Sequence, residues 1–269
     1  MQPLYRFFSY LWHQLSAWNT GGEGIHSPYL FYIVSMLMYD RNGYYIWRQI
    51  ERQRNEMLAS AEYVETEDFG TGASLPKKRR VGSIAATSLE QPKIAQLLFR
   101  LTLFLSQNSQ RNLNVLELGT NLGITTAYLA AADRHNTVYT FEGCGQLLRI
   151  ARQNHIHLNI KNIIYVSGNI DDTLPKWTQN EMKDKQLDLA FLDANHTCEA
   201  TMRYFNMLLP LVHKKTVIIV DDIYHSPQMA KAWKQIKTCR KVTSTMDIYN
   251  AGIVFFDPDY IRRDYKLRY

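Results

Sequence analysis

The sequence predicts an α/β fold: a mostly parallel sheet with helices on both faces, preceded by a helical extension. Three observations predict it. From Asn114 onward, short apolar strands alternate with segments of helical periodicity. Those strands are near-continuous apolar runs, as expected of strands buried on both faces. The N-terminal region instead shows aromatic-rich segments of helical character and no such alternation.

At 269 residues the chain can bury a core without disulfides or metal staples. An apolar fraction of 46% with 21% charged residues excludes a mainly disordered, collagenous or coiled-coil chain. No apolar run reaches the ~18–20 residues that span a bilayer. The N-terminus lacks the pattern of a signal peptide. A cytoplasmic protein with no membrane partner is therefore expected. Cys144, Cys198 and Cys239 have no CxxC spacing, which argues against a disulfide framework or a zinc knuckle. Net charge is +6, yet basic and acidic residues balance at 15 each from Leu113 to Tyr260. A neutral core argues against nucleic acid as partner.

In chain order, residues 1 to about 60 read as helices, broken at 19–22 and 41–43. Residues 61–87 read as a loop that carries an acidic patch and then Lys77-Lys78-Arg79-Arg80. Ser88-Leu89-Glu90-Gln91 reads as a capping box, with Pro92 in the first turn of a helix. Strands are expected at 114–118, 137–141, 163–167, 187–192 and 216–220. Helices should start near Ile124, Gln146, Glu199 and Ser226-Pro227. Two strands, 241–246 and 252–256, close the regular part, and 261–269 reads as a basic tail. The expected organisation is an extension (1–87), a core domain (88–260) and that tail.

Ligands of such sheets sit at the carboxyl ends of the strands. The first strand runs into Glu117-Leu118-Gly119-Thr120-Asn121-Leu122-Gly123, a turn whose glycines allow close approach to a ligand. The dinucleotide pattern GxGxxG is absent. Glu142 ends the second strand, where an acid can accept both ribose hydroxyls of a nucleoside. Asn169, Ile170 and Asp171 follow the third, where an adenine edge would lie, in what reads as a polar loop with an Asx turn. Asp193 and His196 follow the fourth, and Asp221-Asp222 the fifth. Three carboxylates at one mouth repel each other unless something positive divides them. Their oxygens suit Mg²⁺ or Mn²⁺. His196 titrates near neutrality and can take a proton from a substrate hydroxyl.

Six segments now stand in one order: TSLEQPKIAQLL (87–98), VLELGTNLGITT (115–126), TFE (140–142), VSGNIDD (166–172), FLDANH (191–196) and VDDI (220–223). Together they resemble a class I S-adenosylmethionine (SAM) methyltransferase, most similar to the catechol and caffeoyl-CoA O-methyltransferase-like group. The resemblance covers about residues 87–257. It implies a Rossmann-like sheet of seven strands with the last antiparallel, and SAM as cofactor. It implies that Glu117, Gly119, Asn121 and Thr125, with Thr120 and Gly123 of the same turn, surround the methionine part. Glu142 would bind the ribose, and Asn169, Ile170 and Asp171 would flank the adenine. In that group a divalent metal is held by an aspartate after strand four and an Asp-Asn pair after strand five. The corresponding residues are Asp193 and Asp221-Asp222, so the Asn is replaced. If no metal is used, Asp193 falls to the cofactor's methionine end. The lysine base of the catechol enzymes is replaced by His196. The implied activity is methyl transfer to a hydroxyl of a small molecule, with or without Mg²⁺ or a similar ion. An RNA or protein methyltransferase on the same core and a non-catalytic SAM-binding protein are the alternatives.

The N-terminal third reads as a lid over the acceptor or as a packing and homodimer surface. In the lid reading, His26 points toward the acceptor and Asp68-Phe69-Gly70-Thr71-Gly72 belongs to the moving loop.

Overall fold

The computed structural model describes residues 2–66 and 77–269; the segment 68–72 lies outside them. The chain divides into two compact units, Met1–Asp40 with Thr178–Tyr269, and Arg41–Trp177.

The first unit opens with α1 (Gln2–Ser16), a tight turn at Thr20–Gly22, α2 (Pro28–Tyr32) and a π-helical turn at Ile33–Met38. Ser27 caps α2 by accepting from the Leu30 N–H. The inner edge of α1 is set by His13, which is buried with Nε2 2.9 Å from Asp247. Tyr10 packs edge-on against Tyr249.

The second unit runs through α3 (Tyr45–Ala59), β1 (Tyr63–Thr66), β2 (Lys77–Arg80), α4 (Val81–Ser88), α5 (Pro92–Gln107), β3 (Asn114–Leu118), α6 (Ile124–Ala131), β4 (Thr137–Glu142), α7 (Gly145–His157), β5 (Ile163–Ser167) and α8 (Ile170–Asn180). β3, β4 and β5 are parallel, in that order, with Leu116 level with Tyr139 and Tyr139 with Ile164. The segment read as a loop (61–87) instead carries an antiparallel pair, β1–β2, and a helix. The expected capping box does not form. Ser88 ends α4, and Gln91 is the N-cap of α5 without a side-chain cap bond. Pro92 still opens α5, because its fixed φ suits a first turn. The loop expected after β5 is the start of α8. Helices α3, α5 and α6 share a core of Trp47, Ile50, Phe99, Ala127 and Tyr128.

The chain returns to the first unit with β6 (Leu187–Leu192), α9 (Cys198–Leu208), β7 (Val212–Asp221), α10 (Pro227–Thr238), β8 (Ser244–Asp247), β9 (Ala251–Phe255) and β10 (Arg263–Lys266). Their order is β6-β7-β9-β8-β10. β6 and β7 are parallel, β9 is antiparallel to β7 and β8, and β10 is parallel to β8. Apart from the β1–β2 pair, the described residues thus hold eight strands rather than seven. The antiparallel strand is β9, and the last strand, β10, lies within the expected basic tail. Two side chains explain why that tail is ordered: Tyr265 and Leu267 are buried. Gly252 in β9 lets Trp233 lie against the strand; a Cβ there would stand 2.5 Å from the indole ring.

His26 lines a cavity of about 440 Å³ with Tyr29, Tyr260 and Arg263. Arg263 is level with Ser244, Ser244 with Phe255, and Phe255 with Val217. This is the entry end of β10, four residues before Asp221 along β7. Within this unit His26 therefore lies toward the opposite end of the strands from Asp221, against the expectation that it faces the acceptor.

Candidate active site

The second unit supplies a ligand-sized turn. Between β3 and α6 the backbone takes positive φ at Gly119 (103°), Asn121 (50°) and Gly123 (80°). The N–H groups of Gly119 and Thr120 both donate to the Phe141 carbonyl, which ties the turn to β4. Gly123 is required twice over. Its φ is left-handed, and a Cβ would sit 2.7 Å from His155 Nε2 and 2.8 Å from Ala151 Cβ. His155 Nε2 meets the Gly123 carbonyl at 2.7 Å, and Nδ1 meets the Tyr165 hydroxyl at 2.7 Å. Burial lowers the His155 pKa from 6.5 to about 4, so the ring is neutral. A neutral ring donates from one nitrogen only. Since the carbonyl can only accept, Nε2 carries the proton.

Glu142, at the end of β4, accepts from the Asn121 N–H (2.8 Å) and the Cys144 N–H (2.9 Å). A carboxylate offers about four acceptor positions, and an acid at the end of this strand is the residue type that accepts ribose hydroxyls. Asn121 Nδ2 donates to the Ser88 carbonyl, while its Oδ1 is buried with no hydrogen-bond partner among the described residues. An orphaned buried acceptor in the turn marks a place for a donor group. Glu117 is fully buried and accepts from the Thr126 and Thr140 hydroxyls. Thr120 is buried against Thr140, and Thr125 is buried in the first turn of α6. These three lie within or beneath the turn. Asn169 Oδ1 accepts from the Asp171 N–H, the expected Asx turn, and Ile170 begins α8.

The first unit supplies a carboxylate cluster. Asp193 follows β6, and Asp221 ends β7. His196 Nε2 lies 3.4 Å from Asp193 Oδ1. One ligand atom from each of Asp193, His196 and Asp221 falls within a 4.8 Å group. Burial raises the Asp193 pKa, and the Asp222 charge raises it further, only partly offset by His196 and Asp221. The Asp222 carboxylate turns instead to His225 Nδ1, at 3.2 Å, and Asp222 itself has a φ of 52°. The rings of His196 and His225 stack, with centroids 5.7 Å apart. Asn195 Oδ1 is a second buried acceptor without a partner among the described residues.

So the structure groups Asp193 and Asp221, as the sequence suggested, but with His196 rather than Asp222 as third member. His225 escaped sequence reasoning. A signal for it was there: Asp222 and His225 repeat the three-residue spacing of Asp193 and His196.

Residues 116–223 match the family model of a methyltransferase domain. No curated protein matches the chain. Among solved structures, an O-methyltransferase from Bacillus cereus in complex with SAH is similar with a TM-score of 0.57 and 18% identity, over 80% of this chain and 92% of that one. The O-methyltransferase TomG from Streptomyces achromogenes, involved in tomaymycin synthesis and solved with SAM, gives 0.53 and 16%, over 63% and 82%. A SAH-bound methyltransferase from Podospora anserina gives 0.52 and 12%, over 64% and 81%. Residues 116–223 are thus similar to a methyltransferase domain, and the chain shares its fold with these methyltransferases.

Proposed function

We propose that the chain is an O-methyltransferase that moves the methyl group of SAM to a hydroxyl of a small molecule, assisted by a divalent cation. The observation that carries this reading is the Asp193–His196–Asp221 group at the carboxyl ends of β6 and β7. It combines a base with a cation-type ligand set, the two devices that make a hydroxyl nucleophilic. The O-methyltransferases among the similar structures support it.

SAM supplies a methyl group on a sulfonium, already activated for displacement. The residues of the β3–α6 turn and Glu142 fit that donor: a left-handed backbone, an acid at the ribose position and the unpartnered Asn121 Oδ1. The acceptor oxygen must lose its proton as the O–CH₃ bond forms and the S–CH₃ bond breaks. His196 takes that proton, and Asp193 beside it stabilises the imidazolium that results. In-line displacement draws most of its rate from positioning the two reactants. Asp193, Asp221 and His196 would hold the cation, which would lower the acceptor's pKa. Two carboxylates and one imidazole suit Mn²⁺, Fe²⁺ or Zn²⁺ better than Mg²⁺, which prefers oxygen alone. A cation held by His196 would occupy the base, and the acceptor's proton would then go to solvent water. The metal-dependent and base-only routes are therefore separable by chelation.

The test is methyl transfer from isotope-labelled SAM to a panel of phenols and other hydroxyl compounds, with tRNA and a peptide mixture in parallel. Labelled hydroxyl product carries the reading. Label in RNA or peptide alone, or SAM binding without turnover of any acceptor, overturns it.

A further inference from the structure

Helix α1 presents an apolar face to the outside. Leu4, Phe8, Leu11 and Leu15 recur at intervals of four, three and four, one stripe along the helix, flanked by Phe7 and Trp12. Leu4 is 65% exposed, Trp12 69% and Leu15 80%. Isolated exposed apolar residues are ordinary, but six on one face form an interaction surface. The inner edge of the helix is already used by His13 and Tyr10, so the stripe is not awaiting the unit's own core.

The charge bordering the stripe is mainly cationic; Asp264, the acid within β10, is paired with Lys237. α1 contains no acidic residue. Its C-terminal half is bordered by cations delivered from the end of the chain. Lys266 Nζ donates to the Ser16 hydroxyl, and Arg268 Nε donates to the Gln14 carbonyl. At 100° per residue, Gln14 and Ser16 fall on opposite flanks of the stripe. Arg263 lies over the Trp18 ring, which continues the stripe beyond the helix. Asp247, the acid beneath α1, is buried and bonded to His13 and Tyr224.

We infer that the outer face of α1 docks on an anionic lipid bilayer, with Leu, Phe and Trp entering the headgroup boundary and Arg263, Lys266 and Arg268 meeting lipid phosphates. A helix with Trp, Phe and Leu on one face and cations beside it is the pattern of an in-plane interfacial helix. The same charges disfavour a second copy of the chain. A two-fold interface sets the same patch against itself, so the cationic flanks would repel. A helix lying on the surface does not need the spanning length whose absence led the sequence to be read as having no membrane partner.

The experiment is flotation of the full chain with vesicles of phosphatidylcholine alone and of phosphatidylcholine with phosphatidylglycerol, at low and high salt. Expected is co-flotation with the anionic vesicles, preferred roughly 10- to 100-fold over the neutral ones and weakened by salt. Trp12→Glu and Leu15→Glu should each reduce it by ~10-fold or more, since both side chains are exposed and their loss costs no core. Ile156→Glu, an exposed apolar site on α7, should leave it unchanged. Sedimentation of the same proteins supplies the second readout. No flotation with anionic vesicles overturns the inference. So does flotation indifferent to the α1 substitutions, or a dimer that Trp12→Glu dissociates.

Discussion

The donor turn hangs on one carboxylate. Glu142 holds the Asn121 and Cys144 N–H groups, and in the proposed function it is the acid that meets the ribose. Glu142→Ala should weaken SAM binding by about 1.5–3 kcal/mol, roughly 10- to 150-fold in Kd, as charge-assisted bonds are lost. Calorimetry with SAM checks it, and an unchanged Kd removes Glu142 from the site. His196 is caught between two roles, because it faces Asp193 through Nε2 and is also a member of the cation-type group. As base alone, His196→Ala should lower kcat by ~10²–10⁴ and leave SAM affinity intact, with activity surviving exhaustive EDTA treatment. As metal ligand, wild-type activity should vanish with EDTA and return on adding Mn²⁺ or Zn²⁺, and the alanine variant should need more metal for the same rate. Both roles were only partly legible in sequence. Asp193, Asp221 and His196 announced themselves by their addresses at strand ends. For the Asp222–His225 pair the sequence holds only the repeated three-residue spacing; the left-handed backbone at Asp222 that goes with it is not disclosed by residue types.

At the scale of elements, legibility followed burial. The strands carrying the candidate site are readable because they are buried apolar runs: β6 ends one residue before Asp193, and β7 runs one residue past the expected end to include Asp221. The missed strands are short and charged. β2 reads KKRR and β10 reads RDYK, so neither shows an alternating apolar face. α8 was missed because Asn169 makes a loop-like Asx turn that also opens a helix. The packing of α6 on α7 was equally silent, since it rests on His155, a residue type more often found on surfaces. His155 is buried under Gly123, and its pKa of about 4 lies below the 6.5 of an exposed ring. The unfolded chain therefore takes up this proton first. Its contribution to stability is complete above pH 6.5 and is lost as pH falls toward 4, by up to ~3 kcal/mol. Urea midpoints of wild type and His155→Gln across that window check it. The variant should lose less stability on acidification, and parallel curves would mean that His155 is not buried neutral.

At the scale of the molecule, the two ends of the chain are fastened to each other inside one unit. The Asn19 N–H donates to the Lys266 carbonyl, and the Asn19 side chain receives the Lys266 N–H in return. Arg268 N–H donates to the Thr20 hydroxyl. β10 covers the edge of β8, and Tyr265 in it and Leu267 after it are buried. A chain ending at Tyr260 should thus lose more than a charged tail. Burial of two large side chains contributes ~1.5–3 kcal/mol each, so about 3–6 kcal/mol of stability should go, visible as a lower urea midpoint. The double variant Tyr265→Ala, Leu267→Ala keeps every charge and should reproduce most of that loss. Because α1 is tied through Ser16 and Gln14 to Lys266 and Arg268, truncation should also loosen it, and trypsin should cut after Arg6 faster than in the full chain. If 261–269 were the solvated tail that its composition suggests, stability and cleavage rate would both be unchanged. A fall in both would show that these nine residues act as the edge strand that seats α1.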